Sequence, residues 1–335
     1  MSGGLSARGA IGPDGILRST RMLASCEGNH RMTAPPPAFG SVDALVRAFD
    51  DHDYLGDEGL ATAVLLAVSM RRPLLLEGEP GVGKTEVAKV LARLTGGELI
   101  RLQCYEGIDV SQAVYEWDYP RQLLHLRAAE AGGARDTAAL EAELYTERFL
   151  LRRPLLQAIS AAAGTTVPVL LIDEVDRADD EFEAFLLEVL SDWSVTLPEL
   201  GTMRASDPPI VIITSNRTRD VHDALKRRCL YHWVEHPPFD REVAIVRRRV
   251  PGVSEQLAAQ VATATAALRG LGLYKPPGVA ETIDWATALV TLGCATLDEG
   301  TIGSTLGAVV KYREDGERVR HAGAAALLDA GGSHG

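Results

Sequence analysis

The stretch Leu74-Leu75-Leu76-Glu77-Gly78-Glu79-Pro80-Gly81-Val82-Gly83-Lys84-Thr85-Glu86 decides how this chain folds. Pro73 opens a short apolar run and turn residues close it. From Thr85 to Leu94 the spacing of Val87, Val90 and Leu91 is helical. The order is strand, loop, helix, and within it residues 78 to 85 fit G-x-x-x-x-G-K-[ST] in the setting that pattern requires. The physics points to a phosphate cradle. Glycines let backbone N–H groups come close, the helix N-terminus adds partial positive charge, Lys84 reaches the β and γ phosphates, and Thr85 offers a hydroxyl to Mg2+. The run from Gly78 through Glu86 is the expected nucleotide contact. It specifies ATP or GTP without choosing the base.

Working outward, Val169-Leu170-Leu171-Ile172-Asp173-Glu174 is an apolar strand ending in two carboxylates, expected to lie beside the strand of the phosphate loop. Asp173 is the expected Mg2+ residue, directly or through water, and Glu174 the residue that orients or deprotonates an attacking water. Ile210 to Thr214 is another strand-like run, followed by Ser215-Asn216. Asn216 is a candidate to hold that water or the γ-phosphate from the opposite side, although strand ends often carry Asn simply as a turn former. Asp223-Ala224-Leu225-Lys226-Arg227-Arg228 ends a short helix in basic residues. They complement the helix dipole, and they also suit an arginine donated to a neighbouring subunit's nucleotide.

The same alternation organises the chain. Ser41 to Phe49 and about 57 to 67 read as helices, and Leu99 to Cys104, Pro168 to Ile172 and Pro209 to Thr214 as strands separated by helical stretches. Such alternation predicts an α/β fold with a mostly parallel sheet covered on both faces. After His236-Pro237-Pro238-Phe239 the character changes to amphipathic helices over 240–250, 254–270 and 280–292. The predicted organisation is a tail over 1–40, an α/β core over 41–236 with an insert near 103–127 and a hairpin near 195–207, and a helical domain with a C-terminal tail over 237–335. The tail before Met32 mixes Gly, Ser and Arg; its alternative explanations are a true start at Met32 or a transit peptide.

Composition narrows the class. The 335 residues are 46% hydrophobic, enough for a core, and a net charge of −12 argues against a surface built to bind nucleic acid. Cys26, Cys104, Cys229 and Cys294 have no ligand-like spacing, so reduced thiols and a cytoplasmic setting are expected. No run of about 18 apolar residues predicts a membrane span.

With these motifs in this order, residues 41 to 292 resemble an AAA+ P-loop ATPase, with the helical region as its lid. The phosphate loop is similar to that of the MoxR family. Tyr105-Glu106-Gly107-Ile108-Asp109, the run from Tyr115 to Leu124, and Ile283-Asp284-Trp285-Ala286 resemble the CoxD-type branch. The resemblance implies a hexameric ring with ATP and Mg2+ between subunits and a partner carrying a von Willebrand factor A domain. It also implies a role in maturing a molybdenum hydroxylase such as carbon monoxide dehydrogenase. Residue by residue it puts Lys84 and Thr85 on Walker A, Asp173 and Glu174 on Walker B, Asn216 on sensor 1, and Arg228, with Arg227 its competitor, on the arginine finger. Tyr54 to Gly56 fall on the adenine region, and the aromatic insert is a candidate pore lining as well as a packing cluster. One departure stands out: where relatives carry a sensor 2 arginine, this chain has Pro277-Gly278-Val279-Ala280-Glu281, and Lys275 substitutes only if its loop folds back. The alternatives are a nucleotide-gated binding scaffold, a motor on DNA, and a subunit acting on a chelatase or other metalloenzyme complex.

Overall fold

The computed structural model describes residues 39–133, 136–161 and 166–328. Ser41 caps α1 (Val42–Asp51), its hydroxyl accepting from the amide of Ala44. Asp57 caps α2 (Glu58–Met70), accepting from the amide of Leu60 at 2.7 Å. Then come β1 (Leu74–Gly78), α3 (Lys84–Thr95) and β2 (Leu99–Gln103). An excursion follows: α4 (Val110–Ala113), β3 (Tyr115–Trp117), α5 (Tyr119–Ala131), α6 (Thr137–Leu144) and β4 (Leu150–Arg152). The chain returns through α7 (Pro154–Ile159) to β5 (Val169–Asp173) and α8 (Asp180–Asp192). Next are the hairpin β6 (Ser194–Leu197) and β7 (Gly201–Arg204), then β8 (Ile210–Ser215), α9 (Asp223–Arg228) and β9 (Leu230–Val234). Every described element after β9 is helical: α10 (Phe239–Arg249), α11 (Glu255–Gly270), α12 (Val279–Thr291), α13 (Glu299–Val309), α14 (Arg313–Ala322) and α15 (Ala325–Leu328). Among the described residues, no helix is long and apolar enough to cross a membrane.

The five-stranded sheet runs β2-β5-β8-β1-β9 with all neighbours parallel. Successive side chains of a strand face opposite sides, and two cores result. Leu75, Leu170, Ile172, Val211 and Ile213 pack with Phe182 and Leu186 of α8 on one face. Leu74, Leu76, Val169, Leu171 and Ile212 pack with α1, α2 and α3 on the other. A third core, from Val246 to Leu327, joins the C-terminal helices around fully buried Trp285, whose indole N–H donates to Thr305 Oγ1 at 2.8 Å.

Three expectations need correction, and one strand was not anticipated. The strand ending in Asp173 and Glu174 is not beside β1, because β8 intervenes and places its own C-terminus between them. β9, unpredicted because its half-buried, mixed-polarity residues carry no clear period, pairs along the whole of β1 at the sheet edge. The insert runs well past residue 127, since β3 closes against β4 in antiparallel register. Phe39, read as tail, is buried with Leu45 and Phe49. The remaining tail residues, 1–38 and 329–335, lie outside the described residues.

Candidate active site

The C-terminal ends of β1, β5 and β8 carry the site. After β1 the loop turns into α3 through Gly83, whose φ of 96° is open to glycine and strained for any residue with a Cβ. This aims the first amides of α3 at the space above the sheet. Lys84 is buried, and its Nζ donates to the carbonyls of Gly78 and Glu79, both at 2.7 Å. Burial pulls its ammonium down to about 8, against the raising pull of Asp176, Asp173, Glu174 and Glu79.

Asp173 is 3% exposed and its carboxylate is saturated. Oδ1 accepts from Thr85 Oγ1 at 3.0 Å and from Thr214 Oγ1 at 2.6 Å, while Oδ2 accepts from Arg101 Nε at 3.1 Å and Nη2 at 2.6 Å. The Thr85 hydroxyl and the Asp173 carboxylate are hard oxygen donors side by side, which fits Mg2+. The amide-lined loop at a helix N-terminus fits phosphate.

Glu174 adopts a left-handed backbone with φ 56°, a strain of about 1–3 kcal/mol. Its amide donates to Thr214 Oγ1 at 2.9 Å, and that bond holds the turn. The carboxylate is held from three sides, by Asn216 Nδ2 and Gln103 Nε2, each at 3.3 Å, and by Arg177 Nε at 3.0 Å. Asn216 is placed in turn by Asp176, which is 2% exposed and accepts from the amides of Asn216 and Thr218 and from the Thr218 hydroxyl.

The structure thus brings together Lys84, Thr85, Asp173, Glu174 and Asn216. Arg227 and Arg228 lie apart and are exposed; among the described residues Arg228 forms no hydrogen bond or ion pair with those five, and it donates instead to Ser191 Oγ at the end of α8. Arg72 clamps the turn that carries both arginines, donating to the carbonyls of Arg227, Arg228 and Cys229 at 2.7 to 3.0 Å.

A cleft beside the phosphate loop is lined by Tyr54, Gly56, Val82 and His232 from the α/β part and by Val279 and Ile283 from α12. Burial pushes the Tyr54 phenol above its ordinary value and the His232 imidazole below it. The N-terminus of α12 touches the loop directly. The Ala280 amide donates to the Gly81 carbonyl at 3.2 Å, and a Cβ at Gly278 would stand 2.6 Å from the Pro80 oxygen, so only glycine permits this approach. Lys275 is not part of this cleft; its amide is tied to Asp315 Oδ2 at 3.1 Å. The cations that the helical region contributes are Arg241, paired with Asp57 at 3.2 Å, and Arg249, 3.8 Å from Glu86, both on α10. In the insert, Trp117 is buried edge-on against Tyr115 and Tyr145, whereas Tyr119, Leu123 and Leu124 are exposed.

Sequence reading missed Arg101, Gln103, Thr214, Asp176, Arg177 and Arg72. Gln103 and Thr214 sit at or near strand ends, the one local signal that marks them, but the pairings themselves come from strands far apart in sequence.

Residues 73–229 match the family model described as AAA domain (dynein-related subfamily). Among curated proteins, Lon protease 3 of Sorangium cellulosum (strain So ce56) is 31% identical over 152 residues, covering 42% of this chain and 15% of that protein. Lon protease of Brevibacillus choshinensis is 34% identical over 152 residues, covering 42% and 16%. The chain therefore spans about a sixth of the length of the curated relatives it matches. Among solved structures, the Thermotoga maritima RuvB Holliday junction branch migration motor aligns with 17% identity and a TM-score of 0.42, over 82% of this chain and 72% of that one.

Proposed function

From the match of residues 73–229 to the AAA domain family, we propose that this protein is a Mg2+-dependent ATPase that uses hydrolysis to remodel another protein. The observation that carries the reading is the convergence of Thr85, Thr214 and Asp173 on one side and Glu174 with Asn216 on the other, at the mouth of a loop shaped for phosphate. Lys84 binds the β and γ phosphates on leaving the Gly78 and Glu79 carbonyls. Glu174, presented by its left-handed turn, accepts the proton of the attacking water, and Asn216 orients that water. Bound at Thr85 and Asp173, Mg2+ would supply neutralisation of phosphate charge. Arg228, exposed and clamped through its main chain by Arg72, acts on a neighbouring subunit's nucleotide, so the active form is a ring, most simply a hexamer. Residues 41–236 form the ATPase core on this reading, and those from 237 the lid that closes the cleft over adenine.

The likeness to the MoxR family and its CoxD-type branch supports a specific client: a molybdenum hydroxylase such as carbon monoxide dehydrogenase, matured together with a von Willebrand factor A protein. Tyr119, Leu123 and Leu124, the most exposed of the insert's large apolar residues, are offered to a client polypeptide. The alternative, a nucleotide-gated scaffold, draws on one observation: α12 meets the phosphate loop with Gly278 and Ala280 and brings no basic side chain to it.

The test is Glu174→Gln, which keeps the site's shape while removing the base, used as bait in a lysate of the source organism with Mg-ATP. Co-purification of a molybdenum hydroxylase subunit and a von Willebrand factor A protein supports the maturation role. Their absence, from a lysate known to contain both, removes it and leaves the ATPase reading standing. Wild-type biological activity in this variant, with partner binding lost in Lys84→Ala, favours the scaffold.

A further inference from the structure

Arg101 stands on β2 two residues before Gln103, whose register partner on β5 is Asp173. From there its guanidinium reaches along the neighbouring strand and grips Oδ2 of Asp173 with two nitrogens, at 3.1 and 2.6 Å. The opposite oxygen is already taken by the Thr85 and Thr214 hydroxyls. The two partners differ in freedom. The Asp173 side chain is 4% exposed and held by its strand, whereas that of Arg101 is 53% exposed and ends a long flexible stem. Of the two, the cation is the one able to swing into solvent. The same Arg101 Nη2 donates to Gln103 Oε1, which turns the other end of that amide toward Glu174.

We propose that Arg101 is a positioning residue that serves as the internal counter-ion of Asp173, so that a divalent cation enters this site by displacing the guanidinium. The inference rests on the reading of Thr85 and Asp173 as the metal-facing pair. A divalent ion needs a lone pair of the carboxylate, and the water it carries needs the same oxygen as acceptor; a charged donor fork already covering that oxygen blocks both and repels the incoming charge. Asp173 is therefore kept satisfied and neutralised in a buried place where a bare carboxylate would be costly. Its affinity for a free divalent ion is held down, and when the guanidinium leaves, Gln103 loses the bond that orients it on Glu174.

The experiment is a Mn2+ titration of the nucleotide-free full chain, following the loss of the free Mn2+ electron paramagnetic resonance signal. Arg101→Gln removes the charge and should bind Mn2+ about tenfold more tightly than wild type, the equivalent of one charge-assisted contact released. Arg101→Lys keeps the charge but cannot fork, and should fall between the two; it carries the test if the Gln variant does not fold. Asp173→Asn is the control and should abolish the protein-bound Mn2+. Equal or weaker Mn2+ binding in both Arg101 variants, with Asp173→Asn behaving as stated, overturns the counter-ion role. Unchanged Mn2+ binding in Asp173→Asn overturns the metal-facing reading on which it stands.

Discussion

Thr214 and Asp173 meet side chain to side chain at 2.6 Å in the interior, where each is at most 3% exposed. The same hydroxyl accepts the Glu174 amide at 2.9 Å, so one threonine bridges the two acidic residues at the end of β5. Thr214→Val, nearly the same shape, would strip a buried carboxylate of one donor and leave the half-buried Glu174 amide without its acceptor. Stability should fall by about 2–4 kcal/mol in urea unfolding, with hydrolysis falling in parallel. Thr214→Ser, which restores the hydroxyl, should recover most of both. Full activity in the valine variant would falsify the bridging role.

The Asp176 carboxylate holds Asn216 and Thr218 through three contacts. Asp176→Ala should let the strand end drift, lowering kcat about tenfold or more while the KM for ATP stays near wild type. Steady-state kinetics on a folded variant separates this from general damage: a rise in KM with kcat unchanged contradicts it.

Arg228 is clamped at its carbonyl and stands away from the Lys84 cluster of its own chain. Arg228→Ala should keep ATP binding and lose roughly a thousandfold in turnover. Mixed with Lys84→Ala, which cannot hold nucleotide yet keeps its arginine, it should regain part of the activity. Wild-type specific activity should also rise with protein concentration. A monomer equally active at every dilution, with no recovery on mixing, excludes action between subunits.

His232 lines the cleft with its imidazole lowered by burial, Asp57 pulling partly the other way. The folded state therefore binds this proton less readily than the unfolded chain, whose ordinary value is 6.5. As pH falls below 6.5 the unfolded state is protonated first and stability is lost, until the folded-state value is reached; above 6.5 both states are neutral and the term vanishes. Melting temperatures from pH 8 to 5 should drop less steeply for His232→Gln than for wild type, and parallel curves would remove the assignment.

How far the site could be read from sequence follows from the range of each interaction. The phosphate loop is local: strand period, turn glycines and helical period all lie between Leu74 and Leu94, and α3 begins where the motif demands. β5 and β8 were legible as apolar runs, and Asp173, Glu174 and Asn216 as the polar residues ending them. β9 was not, because an edge strand with one half-wet face carries a weak pattern.

The α/β class, the phosphate loop and the polar residues that end the strands were readable from the chain alone, because each depends on the conformational preferences of neighbouring residues. Strand order and packing, not any local pattern, put β8 between β1 and β5, let Arg101 and Thr214 divide the oxygens of Asp173, and bring Gly278 against the phosphate loop. Those contacts join residues 40 to 200 positions apart. They are fixed by strand order and register, which the whole packed core selects and no single segment encodes.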